Sequence, residues 1–212
     1  AGIAEIDADS WRTKAAKEAR DEARAEGMTP LLTKDVETVQ AMAKALRSDP
    51  KAAPFLAPGS GDAEQVLVWE DGETGVMRRA MLDWLPHQVP GRRVVIPDYK
   101  TCADAEPSAL EKAMHNHGHH MQGDWYRAGA MALGLVRPDA AFVFICQEKE
   151  PPYLVTVYEP HPTAWLVAAS KNRWAIDTYK QCTDTNTWPG YTTDVVQLRL
   201  PRWVEIQEGI EG

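Results

Sequence analysis

The chain has 212 residues, 44% hydrophobic and 25% charged, with a formal net charge of −8. This is ordinary globular composition, enough for a domain with a real core, and it excludes a disordered or fibrous chain. No apolar run approaches the roughly 20 residues of a membrane span, and Cys102, Cys146 and Cys182 are too few and too scattered for a disulfide scaffold or a C-x-x-C zinc ribbon. No basic and apolar leader opens the sequence, so a reducing, cytoplasmic setting without membrane attachment is expected. The acidic balance alone argues mildly against a nucleic-acid binder, but a basic groove can sit on an acidic protein. Arg78-Arg79, Arg92-Arg93 and Lys112 are the candidate basic spots.

In chain order, Ser10 at the N-cap and Gly27 just past the end frame a helix over residues 11–26. A second helix, over 33–48, carries Val36, Val39, Met42, Ala43 and Leu46 at spacings of three and four. Pro50, Pro54, Pro58, Gly59 and Gly61 mark a loop. Strands are expected over 64–70, 76–85 and 93–100, and the short turns between them predict an antiparallel meander. One long helix is expected from 109 to about 133, opened by a capping box of Ser108 and Glu111. Residues 140–147 read as a buried strand, paired across Pro151-Pro152 with another over 153–159. A last helix covers about 162–182, and 188–203, rich in Pro and Trp, forms an irregular cover. The fold class is therefore α/β in the broad sense, a mixed sheet flanked by helices. It forms one domain over 1–212: a helical N-terminal part (1–60), a sheet core with the long helix (61–160), and a C-terminal helix with its tail (161–212).

The chemistry centres on Asp98 and Lys100. Alternate residues of a strand share a face, so carboxylate and ammonium lie together with Tyr99 opposite. A carboxylate is a hard oxygen ligand suited to Mg²⁺, and a nearby Lys can position water or neutralise charge on a phosphate. By itself the same pattern describes a plain ion pair. Asp83, fifteen residues upstream, sits among Met81, Leu82, Trp84 and Leu85, where a carboxylate needs a partner. A shared cation would serve, as would Arg79 or Arg93. On the long helix, Lys112, His115, His119, Gln122 and Tyr126 are spaced 3, 4, 3 and 4 apart and would form one polar stripe, either solvated or bordering a groove. His115 and His119 invite a zinc reading, but no Cys or carboxylate lies close in sequence to complete it.

Asp83, then Asp98-Tyr99-Lys100, then Gln122-Gly123-Asp124-Trp125-Tyr126 resembles the PD-(D/E)XK nuclease pattern with its trailing Q-x-x-x-Y motif. Arg79 to Leu85, Pro97 to Thr101, Trp188 to Tyr191 and Leu200 to Trp203 resemble, more narrowly, the nuclease domain of RecE, also called exonuclease VIII, and its phage relatives. The resemblance runs from about Trp11 to Trp203. It implies a restriction-endonuclease-like core and a 5′-to-3′ exonuclease on linear double-stranded DNA, acting in recombination. Mg²⁺, with Mn²⁺ as a substitute, would be held by Asp83, Asp98 and the Tyr99 carbonyl, with Glu70 a candidate extra ligand. Lys100 would orient water, and Gln122 and Tyr126 would hold the strand or the lysine. Arg79, Lys112, His115 and His119 are candidate DNA contacts. It further implies a ring-shaped homo-oligomer, trimer or tetramer, and a RecT-like annealing partner. The family's N-terminal His has no counterpart, His87 being the first His in the sequence. A DNA-end binding module on the same scaffold, impaired in hydrolysis, is the alternative expectation.

Overall fold

The computed structural model describes residues 2–209. Strand β1 (Ile3–Ile6) leads to helix α1 (Lys14–Ala25), strand β2 (Thr29–Leu32) and helix α2 (Thr33–Ser48). Thr13, not Ser10, caps α1, its hydroxyl accepting the Ala16 N–H at 3.2 Å. β1 and β2 pair in parallel, Ile3 opposite Thr29 and Ile6 opposite Leu32. This small sheet corrects the expectation of a wholly helical N-terminal part; four-residue strands are too short to show a period.

Strands β3 (Gly61–Glu70) and β4 (Met77–Pro86) form an antiparallel hairpin. Leu67, Trp69, Ala80 and Leu82 face the core, while Val66, Val68 and Met81 face outward. The expected meander stops there. Strand β5 (Val95–Cys102) pairs not with β4 but in parallel with β6 (Ala141–Glu148), which pairs antiparallel with β7 (Val155–Tyr158). The sequence at the β4–β5 junction explains this. Residues 97 and 99 of β5 turn their backbone toward the same edge. Pro97 has no N–H to donate, and the Tyr99 N–H goes to the side chain of Asp83 at 2.9 Å. No backbone ladder joins β4 to β5 among the described residues.

The β5–β6 crossover carries two helices, α3 (Pro107–Asn116) and α4 (His119–Ala132), where one long helix was expected. Glu106, rather than Ser108, caps α3, its Oε2 accepting the Ser108 N–H at 2.9 Å and the Ala109 N–H at 3.3 Å. Gly118, at φ 67°, turns the chain between the helices; only a residue without Cβ takes that conformation freely. Helix α5 (Pro162–Thr185) packs on α4, and a short helix α6 (Arg202–Gln207) follows the irregular segment. No described helix is long and apolar enough to cross a membrane.

The core joins Ile96, Phe142 and Phe144 of the three-stranded sheet to Leu67, Trp69 and Leu82 of the hairpin, with Leu110 and Ala130 from the crossover helices. Gly129 of α4 is where hairpin and helix come closest: a Cβ there would lie 2.6 Å from Trp69 Cζ3. Gly→Ala inside a helix ordinarily favours folding by about 1 kcal/mol. Here the clash with a wedged indole outweighs that gain. Gly129→Ala is expected to lower stability by roughly 1–3 kcal/mol, seen as a lower denaturant midpoint at unchanged slope; a raised midpoint would show that the hairpin yields freely.

Candidate active site

Asp98 lies in the middle of β5 and is 1% exposed. In register with Phe144 and Tyr158 across the sheet, it faces α4. Gln122 Nε2 donates to Asp98 Oδ1 at 3.1 Å, and Lys100 forms an ion pair with Oδ2. Apart from that ion pair, Oδ2 is buried without a hydrogen-bond partner. Burial pushes the Asp98 carboxyl up to about 6 although Lys100 works to lower it; Asp83 adds a smaller push upward. A carboxylate so placed is short of positive charge.

Asp83, near the end of β4, reaches this point through its contact with the Tyr99 N–H. Its carboxylate takes the place a ladder carbonyl would hold, which brings it beside Asp98-Tyr99-Lys100. Its second oxygen accepts no hydrogen bond among the described residues.

The remaining predicted residues divide. Gln122 is at the site. His119 opens α4, its Nδ1 3.2 Å from the Tyr158 hydroxyl and its ring stacked 5.4 Å from Phe144. Burial, with Lys100, His117 and His120 nearby, lowers its imidazole to about 4, so it is neutral at pH 7. Tyr126 instead packs edge-on to Phe142, centroids 6.3 Å apart, as part of the core. Lys112 and His115 are exposed on α3. The continuous stripe expected from Lys112 to Tyr126 is thus a correction: the break at Gly118 divides it. Arg79 is exposed on the hairpin's outer face, its carbonyl held by Trp125 Nε1 at 3.0 Å. Glu70 is also a correction. It is exposed opposite Met77, six strand positions from Asp83, or about 20 Å at ~3.3 Å per residue, so it lies outside the cluster. The sequence reading missed His117, exposed and stacked on His119 at 5.6 Å; a continuous helix would have turned the two rings to different sides.

Two neighbouring carboxylates, one of them buried and pushed up by that burial despite its ion pair with Lys100, suit a hard divalent cation. Among the described residues no group of three His, Cys, Asp or Glu side chains is placed to hold a metal ion by itself. Mg²⁺ ordinarily takes one or two carboxylates, with water and phosphate oxygens completing its shell, so the donor set fits.

A family model described as a PDDEXK-like domain of unknown function (DUF3799) matches residues 7–200. The chain belongs to this PDDEXK-like family. The mixed α/β core expected for the PD-(D/E)XK nuclease superfamily is the fold observed. A crystal structure of a candidate exonuclease from Eubacterium rectale aligns with a TM-score of 0.58 at 11% identity, over 90% of this chain and 73% of that one. A second structure, SSO0001, aligns at 0.37 with 15% identity, over 79% of this chain and 65% of its own length, too loosely to argue from. No curated protein matches the sequence. At these identities the likeness is one of fold.

Proposed function

We propose that this PDDEXK-like domain is a Mg²⁺-dependent exonuclease that hydrolyses phosphodiesters from the ends of linear double-stranded DNA. The observation that carries this reading is the environment of Asp98: 1% exposed, fixed by Gln122, paired with Lys100 and joined to Asp83 through Tyr99. Asp83, Asp98 and the Tyr99 carbonyl would hold the metal. When bound, it supplies Lewis acidity at a phosphoryl oxygen and makes water a better nucleophile. Gln122 holds the Asp98 carboxylate so that Oδ2 keeps facing Lys100. Lys100, three-quarters buried, orients the attacking water and offsets negative charge gathering on the phosphorus oxygens. Attack on DNA ends is supported by the resemblance to RecE and by the description of the Eubacterium rectale protein as a candidate exonuclease. The 5′-to-3′ direction, the trimeric or tetrameric ring and the RecT-like partner are proposed on the RecE resemblance alone.

Wild type in Mg²⁺ is expected to degrade linear duplex and spare covalently closed circles. Asp83→Asn and Lys100→Ala are each expected to lose about 100-fold or more in rate while still binding DNA. Equal rates in all three proteins would sink the assignment. A wild type that holds DNA ends yet digests nothing in Mg²⁺ or Mn²⁺ would favour the end-binding alternative.

A further inference from the structure

We propose that the cavity beside Lys100 receives a single nucleotide at the DNA end, with His117 as the platform on which its base stacks. The proposal rests on the nuclease reading above and adds where the substrate's base goes. The cavity measures about 360 Å³ and is lined by residues including Lys100, Asp104, His117, His119, Cys146 and Lys149. That volume is at the small end of ligand pockets, the scale of one nucleotide. Two lysines give it cationic points for a phosphate; Asp104 is its one carboxylate.

The specific feature is an aromatic stack that reaches the cavity through His119 and His117. Four rings run from the sheet to the surface in near-parallel order. Phe144 lies 5.2 Å from Tyr158 at 25°, His119 lies 5.4 Å from Phe144 at 25°, and His117 lies 5.6 Å from His119 at 27°. These are offset-stacking distances. His117 ends the series, and the residue is exposed. In an unbroken helix, residues two apart point to different sides. The turn at Gly118 is what sets both rings in one stack on the cavity wall. An exposed ring at the end of such a stack contributes little to the core, whereas a nucleobase would extend it: every base has a π-face, and stacking on protein rings is tolerant of sequence.

Duplexes carrying 2-aminopurine as the terminal base, at either the 5′ or the 3′ end, test this in Ca²⁺. Stacking quenches the probe. Wild type is expected to quench it at one of the two ends, His117→Ala to leave it bright, and His117→Phe to restore the quench. In Mg²⁺, His117→Ala is expected to raise KM roughly tenfold, with the smaller effect on kcat, and His117→Phe to recover most of the loss. An abasic terminal nucleotide should raise KM for wild type and leave His117→Ala unaffected. The exposed position makes unfolding an inadequate explanation, and matching thermal melts would confirm that. If wild type digests linear DNA while both terminal probes stay bright, or if His117→Ala quenches and turns over like wild type, the pocket is overturned and the nuclease reading stands. If wild type neither binds nor digests DNA, both fall.

Discussion

Asp98→Asn is expected to abolish hydrolysis and at the same time stabilise the metal-free protein. On the nuclease reading proposed above, the first effect follows from removing a charged group from the metal site and is expected to reach 100-fold or more. The second follows from the burial of Asp98. Its carboxyl is pushed up to about 6 in the folded chain, first by burial, against an ordinary value near 3.9. Its folded value therefore lies above its unfolded one. Below about pH 4 the group is protonated in both states and costs nothing. As pH rises from 4 to 6 the unfolded chain ionises more readily, and above 6 a constant penalty remains, on the order of 3 kcal/mol. Asn carries no such penalty and can still accept from Gln122. Lys100, which keeps some access to water, loses its partner and takes back part of the gain. In EDTA at pH 8 the Asn variant should melt several degrees above wild type, at about 2–4 °C per kcal/mol for a chain of this size. The gap should close toward pH 4. Mg²⁺ should raise the wild-type melting temperature, less so below pH 6 where protons compete for Asp98, and leave the Asp98→Asn variant unchanged. A variant that melts below wild type at pH 8 would contradict the account of Asp98 as a carboxylate held short of charge.

That site was partly legible in the chain because part of it is local. Strand alternation puts Asp98 and Lys100 on one face, and this needs no tertiary knowledge. Asp83 was legible as a carboxylate in apolar company, but the route to Asp98 was not. The expected meander would have joined β4 to β5 by backbone bonds, whereas the missing N–H of Pro97 leaves the Asp83 side chain to make the link. Gln122 was found through helical spacing and does face Asp98. The same spacing failed for Lys112 and His115, because it assumed a continuous helix. A glycine inside a helix costs only about 1 kcal/mol, so Gly118 did not by itself announce a break. Glu70 was misjudged from proximity in sequence: in a hairpin the strand ends near the turn lie farthest from residues at the open end.

Asp71→Asn is expected to be the most destabilising single change outside the apolar core, by about 3–5 kcal/mol. Asp71 opens the β3–β4 turn and is 6% exposed. It accepts from the Thr74 N–H and hydroxyl at 3.1 and 2.8 Å, from Arg78 at 3.2 Å and from Arg173 of α5 at 3.0 Å. Arg78 in turn lies over the Trp69 and Trp125 rings, at 4.9 and 3.8 Å. One carboxylate thus ties the hairpin to α4 and α5, where among the described residues no backbone ladder ties it to the other sheet. Burial works to raise the Asp71 carboxyl, but the bonds from Thr74 and Arg173 prevail and hold it down at about 2. A depressed carboxyl contributes stability above its unfolded value, near 4, and loses it as pH falls toward 2. Asn would leave Arg78, 11% exposed, without its counter-charge. The melting difference between wild type and Asp71→Asn should be largest at neutral pH and collapse between pH 4 and 2; it is opposite in sign to that for Asp98→Asn, and closes at lower pH. Replacing both members, Asp71→Asn with Arg78→Met, should recover part of the loss, since an apolar side chain between the two indoles needs no counter-charge. Because the hairpin also carries Asp83, the single variant should bind Mg²⁺ more weakly even where it remains folded. A single variant that melts within a degree of wild type at pH 7 would show that the apolar contacts of Trp69 and Leu82 fasten the hairpin unaided.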